Sequence, residues 1–595
     1  MRDQISVTHR YEQTSLAVKY VLRMHPDLIL RGGRIYTVDV ADRVAEAVAI
    51  TGSRIVAVGT TSEIEALAGP ATRRVHLEGR AVVPGFVDGH PHMDIVGLGL
   101  LRPSFEGVTS IEQALEVIRA EVARARPGEW VICNPLGREP EVFRFPRPLA
   151  EGRWPTRADL DRVAPDNPVY IEPPMLVAPG VALANTAALR RAGITRDTKA
   201  PEGVEIERDA AGEPTGVFRD FNFPKVIPDT YNALRPDRAL FPVMPTVTYP
   251  QILEGVRAAM KAFNAAGVTA IYEGHGIPPE PQRAYLELWL RRELTVRTYF
   301  VISYPIGLYA SPEAGDALIG QTALYAAGAG FGDDLLKFGG LGFSVDSASA
   351  IGASLMREPY VGARGTLWNG VQLTSDETLR RIFWKAARAG LRLQVQCAGG
   401  AAIDKVLAIY EEIHREMSIV DRRWVIEHCQ FPSRANMETC RRLGIVPTST
   451  TNFLWLYGSV YVRCFGRDLA GQAIPFKAWL DAGVPVVQST DGRPYSPIFT
   501  FWQSLARRDG LTGETLAADG PRLSRAEALR IYTINGARAA FWEDRIGSIE
   551  PGKLADLVVL SDDIMTVPED RIPDTRVLAT LVGGRPVHDT GLLSA

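Results

Sequence analysis

An α/β fold is predicted for this 595-residue chain. Its centre reads as an eight-stranded (β/α)8 TIM barrel, and both chain ends read as parts of one small β domain. Three observations predict this. The two ends are rich in short β-type runs. Residues 85–546 alternate strand and helix patterns, which implies a parallel sheet covered by helices. An apolar run ending in His-x-His stands where the first barrel strand would begin.

Residues 1–25 are polar and mixed in charge, and read as an N-terminal arm without the apolar core of a signal peptide. From 26 to 84 the runs Leu28–Leu30, Arg34–Val38, Ala47–Ile50 and Arg54–Val58 are separated by Gly and Ser at turns. Residues 547–595 repeat the pattern in Leu557–Leu560, Val577–Val582 and Pro586-Val587. Between them, Ile111, Ala114, Leu115, Ile118 and Val122 form a helical stripe opened by Ser110 and Gln113. Thr374 with Glu377, and Ser524 with Glu527, open further helices. The stretch near 135–250, rich in Pro and charge, reads as an insertion on a barrel face.

Composition narrows the function. With 66 Lys plus Arg against 69 Asp plus Glu, the net charge of -3 favours neither nucleic acid nor an anionic membrane as partner. Five scattered cysteines without a CxxC pair argue against a secreted disulfide scaffold. No apolar run reaches about eighteen residues, so no transmembrane helix is expected. The expected location is cytoplasmic, and the expected partners are a small-molecule substrate and further copies of the chain in a homo-oligomer.

The chemistry concentrates at strand ends. Val82–Val87 leads into Asp88-Gly89-His90-Pro91-His92, which holds two of this chain's 9 histidines. Residues two apart on a strand face one side, so His90 and His92 can chelate one metal ion. Asp491 follows Val484–Thr490, and a carboxylate at the C-terminal end of a barrel strand is placed for catalysis. The competing readings are surface histidines for the first motif and a helix N-cap for the second.

The stretch Pro84–His92 resembles the first barrel strand of the amidohydrolase superfamily, and more narrowly its amidohydrolase 3 group, with amide- and formamide-hydrolysing members. The resemblance continues through Asn185–Leu189, Gly212–Val217, Gly267–Ala270, Arg423–Gln430, Ser489–Asp491 and Gly547–Leu557. It implies a metal-dependent barrel with a β-sandwich-like domain made by both chain ends. It further implies that His90, His92 and Asp491 hold a divalent metal, zinc by expectation, with Asp491 also acting as general base. His428 becomes the ligand of the sixth strand, and Lys337 a carboxylated lysine bridging to a second ion. Otherwise His428 is a core histidine and Lys337 a plain strand-end lysine.

Two departures qualify the resemblance. Relatives carry a histidine where this chain has Gln396, and a neutral amide is a weaker ligand than imidazole for zinc-like ions. One ion is therefore expected to be firmly bound and the second weakly bound or missing. Relatives also often carry a histidine where this chain has Gly180. Glu273, His275 and Arg493 are secondary candidates, as weak ligands or substrate contacts. Phe453, Trp455, Tyr495 and Phe499 are expected either to line an apolar pocket or to pack in the core. The implied function is metal-dependent hydrolysis of a C–N bond in an amide, formamide or cyclic amide by an activated water. The alternatives are an ester or lactone hydrolase on the same site, or a metal-impaired homologue without turnover.

Overall fold

Eight parallel strands follow one another both in sequence and in space in the computed structural model. They are β1 (Phe86–Asp88), β2 (Val268–Glu273), β3 (Arg297–Ser303), β4 (Leu336–Ser344), β5 (Leu393–Cys397), β6 (Val425–His428), β7 (Val446–Ser449) and β8 (Val487–Gln488). The structure describes residues 25–174, 176–177, 180–201, 204–220, 240–274, 279–304, 309, 311–362, 365–517 and 522–594. The seam between β8 and β1 is drawn together where the Gly89 N–H donates to the Gln488 carbonyl at 3.1 Å. Asp88 reinforces it, accepting from the Thr490 N–H at 3.0 Å and the Thr490 hydroxyl at 2.6 Å.

The strands are buried on both faces, as parallel sheets under helices are. Leu393, Val395 and Cys397 of β5 join the outer core with the helices Asp376–Arg388 and Gly400–Glu416. Alternation then turns Gln394 and Gln396 inward. Local signals act as the sequence suggests at most helix starts. Ser524 and Glu527 form a full capping box, and Ser110 accepts from the Gln113 N–H. The helix expected to open at Thr374 is instead capped by Ser375, whose hydroxyl accepts from the Thr378 N–H.

Between β1 and β2 the chain builds a five-stranded sheet of its own. Its order is Val204–Arg208, Pro214–Asp220, Gly180–Ala184, Val169–Ile171, Val131–Cys133. Asn185 ties it together. Its side-chain oxygen accepts from the Val169 and Ala188 N–H groups at 2.9 Å, and its amide donates to the Ala164 and Asn167 carbonyls. The Asn185–Leu189 motif is thus a structural joint.

The chain ends make two further sheets. One holds four strands from residues 28–76, and the other holds six, with Arg34–Tyr36, Val44–Ala45 and Ala81–Pro84 beside Leu557–Leu560, Val577–Val582 and Arg585–Asp589. Leu30, Ile35, Val48, Val75, Leu557 and Leu581 share one core between them. Asp556, in the Gly547–Leu557 motif, locks these sheets to the barrel base by a bidentate pair with Arg297 of β3, at 2.7 and 2.9 Å. Both side chains are almost wholly buried. Removing one partner of a buried pair strands the other charge, so Asp556→Ala should lower stability by about 3–5 kcal/mol, read by denaturant unfolding. No helix among the described residues is long and apolar enough to cross a membrane.

Candidate metal centre

His90, His92 and Asp491 meet at the C-terminal end of the barrel. His90 stands two residues past the end of β1, and its N–H donates to Asp88 Oδ1 at 3.1 Å. Asp491 follows β8, and its N–H donates to the His90 carbonyl at 2.9 Å. The Asp88–Thr490 contacts therefore set the height of both residues at the strand ends. His92, His428 and Asp491 all have positive φ, at 47°, 67° and 54°. Non-glycine residues in this region carry strain, and such residues gather at functional sites. At His428 the turn is held by the Ser449 hydroxyl, which donates to the His428 carbonyl.

The distances suit a metal. Asp491 Oδ1 lies 3.3 Å from His90 Nε2 and 3.4 Å from His92 Nε2. Two ligands about 2.0–2.1 Å from a tetrahedral ion stand roughly 3.3–3.4 Å apart. These three residues, two of them fully buried, therefore have the donor chemistry and the spacing of a catalytic zinc-type site. A second group, His90, Glu427 and His428, also has its ligand atoms within 4.8 Å. There His90 Nδ1 and Glu427 Oε1 are only 2.7 Å apart, the length of a hydrogen bond rather than of two ligands sharing one ion.

In the metal-free chain the charges reinforce one another. Burial alone would lower the His90 pKa. The Glu427 and Asp491 carboxylates beside it win, and hold the pKa well above its ordinary value. Burial would likewise raise Asp491, but hydrogen bonds from His90 and His92 and the charges of His92 and His428 hold it well below the usual carboxylate range. Asp88, buried and clamped by N–H groups, is pushed up to about 6 by desolvation.

His428 stands next to the triad, its ring 5.4 Å from that of His90. Arg493 reaches in from the other side, with Nη2 at 3.6 Å from Asp491 Oδ2 and Nη1 at 3.4 Å from Glu139 Oε1. Phe453 stacks on His428 at 5.6 Å, Tyr457 meets Phe453 at 5.4 Å, and Phe143 meets Tyr457 at 6.1 Å. The other aromatics expected at a pocket pack elsewhere. Trp455 and Phe499 gather on Trp502, and Tyr495 stacks on Phe263.

Lys337 is corrected. It is the second residue of the nine-residue strand β4, seven residues before the site end at Ser344, or roughly 23 Å at about 3.3 Å per residue. Its Nζ lies 5.7 Å from the centre of the Trp542 ring at the barrel base. At the site end, Leu341 and Phe343 join the outer core, so Gly342 and Ser344 take the inward positions. Neither supplies a lysine to carboxylate.

Gln396 turns inward from β5, where its amide N–H donates to Asp346 Oδ1 at 3.1 Å while its Oε1 is buried without a hydrogen-bond partner among the described residues. Asp346 also accepts N–H groups from Leu355, Ala398 and Gly399, and burial pushes it up to about 7. Glu273 does not face the barrel interior. Its neighbour Ile271 packs in the outer core while Ala270 and Tyr272 point inward, and Glu273 accepts the Met93 N–H at 2.8 Å behind the site. There burial and Asp94 push it up to about 8. His275 lies outside the described residues.

Three residues at the site carried no expectation. Glu427 holds His90 Nδ1, Gln394 donates to Glu427 Oε1 at 2.8 Å, and Asp88 ties the strand ends. A signal for Glu427 exists, since it is a carboxylate two residues after Val425, in phase with the barrel interior.

The relationships of the chain agree with this architecture. The amidohydrolase family model matches residues 73–588. The chain is 28% identical over 570 residues to the N-substituted formamide deformylase of Arthrobacter pascens, covering 94% of this chain and 97% of that protein. It is 25% identical over 574 residues to the protein LONG AFTER FAR-RED 3 of Arabidopsis thaliana, covering 94% and 91%. The crystal structure of an uncharacterized metal-dependent hydrolase from Pyrococcus furiosus superposes with a TM-score of 0.67 at 22% identity, over 91% of this chain and 100% of that one, a likeness of fold. With a matched span that runs from the first terminal sheet through the whole barrel to the last strands, the chain belongs to the amidohydrolase family.

Proposed function

We propose that this chain is a metal-dependent hydrolase that cleaves a C–N bond of an amide, formamide or cyclic amide. The observation that carries the reading is the placing of His90 Nε2, His92 Nε2 and Asp491 Oδ1 at inter-ligand spacing on the C-terminal barrel face. The formamide deformylase, similar over nearly its whole length, supports the bond type. The residues suit zinc, held by two imidazoles and one carboxylate. When bound, such an ion supplies Lewis acidity, polarising the scissile carbonyl and lowering the pKa of water.

The protein's own groups complete the reaction. Asp491 accepts the proton of the attacking water and returns it to the leaving nitrogen, so that an acid and an amine are released. Arg493, beside Asp491, orients a polar group of the substrate. Phe143, Phe453 and Tyr457 offer an apolar wall for its substituent. The test is amine release from a panel of N-substituted formamides, simple amides and cyclic amides, before and after chelation. Turnover that chelation abolishes and added zinc restores is expected. Turnover of these amides that survives removal of all metal would overturn the reading.

A further inference from the structure

Resting on that reading of the metal centre, we infer that Glu427 is a positioning residue for it, with Gln394 as its support. The three side chains form one buried line across β5, β6 and the end of β1. Gln394 Nε2 donates to Glu427 Oε1 at 2.8 Å, and the same oxygen lies 2.7 Å from His90 Nδ1. The imidazole has two nitrogens, and only one can face the ion. A carboxylate at Nδ1 keeps the proton there, turns the Nε2 lone pair towards His92 and Asp491, and raises the basicity of the ring. Glu427 is fully buried in a strand, where an unpaired carboxylate would be costly, so its placement is explained by what it holds.

The backbone is shaped around this line. A Cβ at Gly274, just after β2, would lie 2.0 Å from Gln394 Nε2, 2.4 Å from Glu427 Oε1 and 2.8 Å from His90 Nδ1. Only glycine lets the second strand end pass so close to all three groups. Glu427 therefore acts through His90, without contacting substrate, and its effect should appear in metal affinity before it appears in chemistry.

The experiment measures zinc affinity of the full-length metal-free chain by competition with a chromophoric chelator, for wild type, Glu427→Gln and Gln394→Met. Glu427→Gln keeps the shape and loses the charge, and should weaken binding about 10–100-fold. Gln394→Met removes only the donor that fixes Glu427, and should weaken it several-fold, so it keeps the inference testable if Glu427→Gln fails to fold. A role in packing alone predicts unchanged affinity in both folded variants. Wild type that binds zinc tightly, with both variants within about threefold of it, overturns this inference and leaves the hydrolase reading standing. Wild type that binds no divalent ion overturns both.

Discussion

Asp491→Asn should lower kcat by on the order of a hundredfold or more while leaving the fold intact. The fold should survive because asparagine is nearly isosteric and tolerates the left-handed backbone that residue 491 adopts at φ 54°. The N–H that donates to the His90 carbonyl is retained as well. What is lost is chemical. The carboxylate presents Oδ1 to both imidazoles and Oδ2 towards Arg493, and an amide oxygen there neither neutralises the site nor accepts a proton near neutral pH. Steady-state kinetics beside a thermal melt of the variant decide the matter. A folded Asp491→Asn protein with near-normal kcat would remove Asp491 from the reaction.

Metal affinity of the metal-free protein should climb about tenfold per pH unit through the neutral range. Glu427 and Asp491 hold the His90 pKa well above its ordinary value, so the metal-free ring carries a proton that must leave before Nε2 can ligate. The sign for stability runs the opposite way. A histidine whose folded pKa exceeds its unfolded one contributes stability that is full below the unfolded pKa and is lost as pH rises through the folded value. The metal-free chain should thus lose stability as pH rises while the loaded chain gains relative to it. Each tenfold gain in affinity is worth about 1.4 kcal/mol of added stabilisation at fixed metal. Melting both forms from pH 6 to pH 8 should show the gap between their Tm values widening. A gap that narrows would mean that His90 is neutral before metal arrives.

The parts of this site that could be read from sequence are those that local chain geometry controls. His90, His92 and Asp491 each follow an apolar run, so their place at strand ends was legible, but β1 stops at Asp88 and His92 takes φ 47°, so strand alternation is not what brings the two rings to 4.2 Å. Lys337 misled because it rested on the family resemblance alone, without a local pattern to fix where the strand ends. In the fold, Gly340 takes φ +92° and the pairing with β3 shifts register, so the strand continues to Ser344 and the lysine is left at the barrel base. Glu273 misled for another reason. Every residue of β2 is buried, so hydrophobicity gives no clue to which alternate positions point inward. Glu427 and Gln394 are legible only as oddities, polar groups in buried strands. Glu427 takes its meaning from His90, more than 300 positions away, and Gln394 from Glu427 in turn, which no local pattern encodes.

The loss of Lys337 from the site sharpens what metal count to expect. With Gly342 and Ser344 inward on β4, the second group of His90, Glu427 and His428 shares His90 with the first, has Glu427 Oε1 only 2.7 Å from His90 Nδ1, and gains no bridging ligand from β4. Elemental analysis of wild type and Gln396→His, purified identically and scored per folded chain, addresses the central claim most directly. One firmly held divalent ion per chain is expected in both, because an imidazole at 396 restores one ligand but no bridging group from β4. Two firmly held ions per wild-type chain, or none in a protein that still turns over its substrate, would contradict the account.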